Sequence, residues 1–153
     1  MDGRRWEVVD VRDDPEAHDE LLQRFYDLLM VPSFPPEELD ELDVWRDSLP
    51  ECYPKSIFHI LLACLREEED GGRDEKAMAG GMLVFEYYLQ SRCGFVSYVV
   101  VSPVHRGQGL AQRLLDEGAR IMHRDALQRH GAPLRAIFLV PLLLRLGRGR
   151  SLC

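Results

Sequence analysis

The sequence predicts an α/β protein of the α+β type, built on a mixed sheet in the order β-α-α-β-β-β-α-β. Three observations carry that expectation. Apolar runs of strand length at 56–65, 77–89 and 95–102 follow one another across short polar or glycine-bearing breaks, the pattern of an antiparallel meander. Two helical patterns precede the meander and one follows it, over 108–128. A last apolar run at 134–140 follows that helix, and a right-handed crossover would set it parallel to 95–102.

Each element has its own signal. Arg5 to Val11 alternates, with Trp6, Val8 and Asp10 on one side and Val9 and Val11 on the other. Asp14 followed by Pro15 reads as a helix start, a capping carboxylate before a proline at the first helical position. Leu21, Leu22, Phe25, Leu28 and Leu29 then make an amphipathic stripe, expected to end before Pro32. A second helix is expected over 36–49, with Leu39, Leu42, Trp45 and Leu49 inward. Its other side is acidic, carrying Glu37, Glu38, Asp40, Glu41, Asp43 and Asp47. Such a face is either solvated or borders a site for a cationic substrate.

The run 56–65 reads as a central strand, and the solitary His59 inside it as a hydrogen-bonded core or edge residue rather than a ligand. Residues 66–76 are charged, contain Gly71-Gly72 and read as a connecting loop without chemistry. In 77–89 the alternation puts Met82, Val84, Glu86 and Tyr88 on one face, and Leu83, Phe85, Tyr87 and Leu89 on the other. Gly80-Gly81 suggest a bulge or the close approach of something else. In the helix 108–128, Ala111, Leu115, Gly118 or Ala119, Met122 and Ala126 line up beside Leu110, Leu114 and Ile121, a broad face suited to packing on a sheet.

Bulk properties narrow the class. The 153 residues suit one domain, and 46% hydrophobic with 29% charged residues is the balance of a soluble globular protein. A net charge of −7 argues against nucleic-acid binding and mildly favours an amine-bearing substrate. Cys52, Cys64, Cys93 and Cys153 form no CxxC pair, which suits a reducing compartment. His123 and His130 have no third ligand nearby, so no metal is expected. No signal segment or membrane-spanning run is visible, and the expectation is a cytoplasmic protein with no membrane partner.

The stretch from Val99 to Leu115 organises the rest. Val99, Val100 and Val101 end a buried strand, Pro103 closes a turn, and Gly107 and Gly109 lead into a helix from Leu110. A helix begun this way aims unpaired N–H groups and about half a positive charge at whatever lies over the turn, most naturally a phosphate or pyrophosphate. Arg106-Gly107-Gln108-Gly109-Leu110-Ala111 also fits the pattern [Arg/Gln]-x-x-Gly-x-[Gly/Ala] after a strand ending Val-x-Pro. This resembles the acetyl-CoA pyrophosphate loop of the GNAT superfamily of N-acetyltransferases. A dinucleotide-binding motif fits less well, because the third glycine is missing and the meander before the loop is not βαβ.

The resemblance covers about Trp6 to Val140 and implies a GNAT-like mixed sheet with acetyl-CoA as co-substrate. Carried onto this chain, the backbone around Val99, Val100 and Val101 would pair with the pantetheine amides. The N–H groups of Arg106, Gly107, Gln108, Gly109, Leu110 and Ala111 would hold the pyrophosphate. The family reaction is direct attack of a primary amine on the thioester, with a carboxylate as base. The strand 95–102 has no carboxylate, so Glu86 on the neighbouring strand is the catalytic candidate, with Ser97 and Tyr98 as weaker substrate contacts.

The family pattern continues with a further helix, a tyrosine acid and closing strands. Here Leu/Arg-rich sequence follows Val140, and no tyrosine comes after Tyr98. The expected division is therefore a GNAT-like acyl-CoA-binding domain at 1–140 with an incomplete C-terminal part, and an irregular tail at 141–153. The edge of 134–140 would be left unpaired, which leaves a homodimer open. Two functions follow from these residues. One is an N-acetyltransferase acting on a small-molecule or protein amine. The other is a weakened, GNAT-like acyl-CoA-binding module without efficient turnover.

Overall fold

Five strands form one mixed sheet in the order β1-β2-β3-β4-β5. They are β1 (Arg4–Asp10), β2 (Ser56–Glu67), β3 (Met78–Tyr88), β4 (Cys93–Val101) and β5 (Ala136–Leu139). The computed structural model describes residues 4–50, 55–67 and 77–139. The first four strands are antiparallel, and β5 runs parallel to β4 after the crossover helix α4 (Leu110–His130), as the sequence pattern predicts. The expected irregular tail at 141–153 lies outside the described residues.

The strand alternation sorts side chains into two cores. Val9, Val11, Ile60, Leu62, Met82, Val84, Tyr98 and Val100 face the N-terminal helices, whose Phe25 and Trp45 are almost wholly buried. Leu61, Ala63, Leu83, Phe85, Tyr87 and Val99 face Leu114, Ile121 and Met122 of α4. With helices on both faces, β2 is buried from Ser56 to Arg66, so its sequence reads as a continuous apolar run instead of an alternation. The ladder between β2 and β3 shifts at Ala63 and Cys64, leaving Gly80 as the extra residue of the anticipated bulge. A Cβ at Gly80 would collide with the indole of Trp6, so glycine leaves room for that ring to reach over β3.

The N-terminal helices depart from the sequence expectation in three places. Asp14 caps only a turn, its Oδ1 accepting from Ala17 N at 3.2 Å, and α1 (Asp19–Phe25) starts later. Helical chain then passes Pro32, because a π-helical segment at Tyr26–Met30 leads into the single turn α2 (Val31–Ser33). The expected helix over 36–49 is split into a 3-10 turn at Pro36–Glu38 and α3 (Leu42–Ser48). Leu39 and Glu41 are extended, since the Tyr98 hydroxyl donates to Glu38 O at 2.9 Å and accepts from Asp40 N at 3.2 Å. Those two tertiary bonds outweigh the helical pattern of the segment.

Candidate active site

The loop after β4 is built almost entirely from backbone. Ser102 N donates to Gly80 O at 2.8 Å, and Pro103–His105 makes a 3-10 turn closed by His105 N on Ser102 O at 2.9 Å. The His105 ring meets Trp6 edge-on at 5.0 Å, which supports the turn from β1. Gly107 and Gly109 have φ of +80° and +75°, in the left-handed region. Nothing lies within 4 Å of a Cβ built at either position, so the dihedral, not crowding, demands glycine. Gly109 turns the chain into α4, whose first internal bond is Arg113 N to Gly109 O at 3.0 Å. Among the described residues no side chain caps this 21-residue helix, so its first N–H groups are offered to a ligand or solvent.

Beside the loop β4 has an open edge. β5 pairs only with Cys93, Gly94, Phe95 and Val96, and Ser97 to Val101 have no strand partner on that side among the described residues. A register shift opposite Val84 and Phe85 makes Ser97 the extra residue of a second bulge, at the point where the pairing with β5 stops. Leu28, Leu29 and Pro32 on one wall and Val100, Val101 and Arg106 on the other enclose a groove of about 160 Å³ running to the loop. Arg106 folds back so that Nε donates to Val101 O at 3.3 Å, which keeps its cationic head at the groove. An anionic group linked to an extended amide chain fits these features. The uncapped N–H groups and Arg106 suit the anion, and the open strand edge suits the amides.

A larger hollow of about 600 Å³ lies between Val8 and the exposed side of α4. Its lining charges balance, Arg113 and Arg120 against Asp116 and Glu117. Arg120 pairs with Glu117, and Gln112 Nε2 donates to Asp116 Oδ1 at 2.8 Å. It offers no surplus of either sign to a charged ligand.

The candidate residues divide by role. Val99, Val100 and Leu110 bury their side chains, so any part they play at the groove is through the backbone. Arg106, Gly107, Gln108 and Gly109 are exposed, while Val101 and Ala111 are half-buried. Glu86 lies on the face of β3 shared with the N-terminal helices and is half-buried. Its Oε2 accepts from Ser56 Oγ at 2.7 Å and its Oε1 from the Tyr88 hydroxyl at 2.8 Å. Counting along β3, Glu86 stands five residues from Gly81, the partner of Val101 at the root of the loop, or roughly 17 Å.

Tyr98 is a core residue. Its ring packs between Phe34 and Trp45, and burial pushes its pKa up despite the Asp40 N–H. Burial likewise raises Tyr26, whose hydroxyl donates to Asp40 O at 2.6 Å, with Asp40 and Glu41 adding to the shift. Part of the acidic side of α3 is spent on structure. Arg46 binds both Asp43 and Asp19, and the bond to Asp19 outweighs burial in raising its pKa.

Ser56 carries no motif and only the fold brings it to Glu86. Ser56 pairs across the ladder with Tyr88, two residues beyond Glu86 on the same face, and that register is set by the β2–β3 pairing. The face of Glu86 and Tyr88, by contrast, follows from alternation alone.

The acetyltransferase (GNAT) family model matches residues 22–133, from α1 through the loop and all of α4. That is well over half of the chain, and the protein belongs to this family of acyltransferases. A solved structure described as a putative acetyltransferase from GNAT family from Bacteroides thetaiotaomicron is similar at a TM-score of 0.45 and 20% identity. The alignment covers 76% of this chain and 55% of that one, so the chain spans about half the length of that relative. No curated protein matches. Among the described residues, no helix is long and apolar enough to cross a membrane.

Proposed function

We propose that the protein transfers an acetyl group from acetyl-CoA to a primary amine by direct attack. The observation that carries this is the junction of β4 and α4. Two left-handed glycines turn an uncapped helix N-terminus toward the groove beside an unpaired strand edge. Backbone donors fixed in this way need no ordering when the pyrophosphate arrives. The pantetheine arm would lie along Ser97 to Val101, with the thioester toward the Ser97 bulge and the face that carries Glu86.

In this reading Glu86 is the base. The amine nitrogen forms the new C–N bond at the thioester carbonyl carbon and the C–S bond breaks. The proton lost from nitrogen goes to the Glu86 carboxylate, directly or through one water, and the departing thiolate takes up a proton from solvent. Glu86 makes no ion pair among the described residues, so its negative charge remains available to an ammonium group. The overall negative charge favours approach of a cationic acceptor, small molecule or protein.

Isothermal titration with acetyl-CoA, followed by thiol release across an amine panel, tests the reading. Saturable binding with release of free CoA is the expected outcome. Absence of binding overturns the cofactor assignment, whereas binding without release with any amine leaves an acyl-CoA-binding module.

A further inference from the structure

We infer that Ser56 and Tyr88 are positioning residues for Glu86, holding its carboxylate for proton transfer through two neutral hydroxyls. The inference rests on Glu86 being the base. A half-buried carboxylate inside an apolar sheet is usually retained for an arginine or lysine, and its charge is then spent on that partner. Glu86 has a different environment. Ser56 Oγ occupies Oε2 at 2.7 Å and the Tyr88 hydroxyl occupies Oε1 at 2.8 Å, one donor on each oxygen.

Hydroxyl donors fix the plane of the carboxylate without cancelling its charge. A carboxylate offers about four lone-pair sites, so two remain to accept a proton from an amine or a bridging water. Both donors are themselves held. Ser56 is 3% exposed at the start of β2, and its backbone pairs directly with Tyr88. The Tyr88 ring meets Phe95 of β4 edge-on at 4.9 Å, and Phe95 stacks on Phe138 of β5 at 5.2 Å. One chain of rings thus runs from the anchor of Glu86 to the strands on both sides of the opening at Ser97. The carboxylate is placed relative to β4 and β5 together, and the pairing of those two strands stops at Val96, where the open edge of β4 begins.

The test is steady-state kinetics on Ser56→Ala, Tyr88→Phe, the double variant, Glu86→Gln and Ser56→Thr, each checked by thermal melting. Tyr88→Phe keeps the ring against Phe95 and removes only the hydroxyl. Each single loss should lower kcat about ten-fold and leave KM for acetyl-CoA within two-fold, with a further drop in the double variant. Ser56→Thr, which restores the hydroxyl, should recover most of the rate. The inference is overturned if Glu86→Gln is inactive while the double variant keeps parental kcat, and the base assignment then still stands. Parental turnover in Glu86→Gln, or no turnover by the parent chain, removes the base assignment and the inference with it. A fall in melting temperature with unchanged kcat marks the two hydroxyls as structural only and also overturns it.

Discussion

The Nε2 of His59 lies 2.6 Å from Oδ2 of Asp125, joining β2 to α4 across 66 residues of sequence. The other ring nitrogen, Nδ1, lies 2.8 Å from Oδ2 of Asp10 at the end of β1. An ionised carboxylate only accepts, so with both carboxyls ionised the two ring nitrogens carry protons and the group is an imidazolium between two carboxylates. His59 is 1% exposed and stacks on Phe85 at 5.0 Å. Burial works against its charge, but the bonds to Asp10 and Asp125 outweigh burial and raise its pKa above 6.5. For Asp125 burial acts upward, and the bonds from His59 and Arg124 overcome it, leaving the carboxyl below 3.8.

These opposite shifts define a pH window. The His59 contribution is full below its unfolded value of about 6.5 and is lost as pH climbs through the raised folded value. The Asp125 contribution is full above about 3.8 and is lost as pH falls through the lowered folded value. The triad should therefore stabilise most between roughly pH 4 and 6.5. Melting temperatures of the parent and of His59→Gln, taken from pH 4 to 9, check this. The gap between them should narrow toward alkaline pH, and a constant gap would refute the charged triad. Asp125→Asn, which leaves the imidazolium with one carboxylate, should cost roughly 3 kcal/mol in denaturant unfolding near pH 6.

The same residues show what a sequence can and cannot disclose. Strand alternation correctly separates Glu86 and Tyr88 from Phe85 and Tyr87, and the glycine pair at 80–81 marks its bulge, because both are local consequences of the pleat. His59 reads as a bonded core or edge residue, and the structure makes it a core one. Its partners are 49 and 66 residues away and have no local signature. The split between the turn at 36–38 and α3 is hidden for a similar reason. The hydroxyl that holds it belongs to Tyr98, on a strand some sixty residues further on. The glycine loop is legible because its demand is a dihedral at Gly107 and Gly109, which the residue type itself announces.

Tyr98→Phe tests the core assignment of that ring. The change deletes the one group that satisfies both Glu38 O and Asp40 N, while Phe34 and Trp45 keep their ring contacts. A loss of about 1–3 kcal/mol in unfolding free energy is expected, with thiol release per folded molecule unchanged. A drop in kcat without loss of stability would instead make Tyr98 a substrate contact.

Gly109→Ala should act through the backbone. With nothing within 4 Å of the new Cβ, the penalty is the left-handed dihedral, about 1–2 kcal/mol. The chain can relieve it by rotating Gly109 away from φ +75°, which misaims the first N–H groups of α4. Acetyl-CoA affinity, measured by titration, should fall by an order of magnitude or so. Gly109→Asn should fall less, since asparagine tolerates this region better. Equal affinity in parent and alanine variant would mean that the helix N-terminus does not hold the ligand.

Glu86→Gln separates binding from chemistry. The amide keeps the size of the carboxylate and can still accept from Ser56 or Tyr88, so the β2–β3 ladder and its melting temperature should be little changed. The variant lacks a basic oxygen and the negative charge presented to an ammonium. Turnover should therefore fall by a factor of about 10² or more, the usual worth of a positioned base. The dissociation constant for acetyl-CoA should stay within two-fold, because the loop at Arg106 to Ala111 lies at the far end of β3. Raising the pH should recover part of the lost rate by supplying amine already deprotonated. If turnover were lost and high pH returned none of it, the carboxylate would be acting by its charge on acceptor binding, and the KM for the amine would carry the loss.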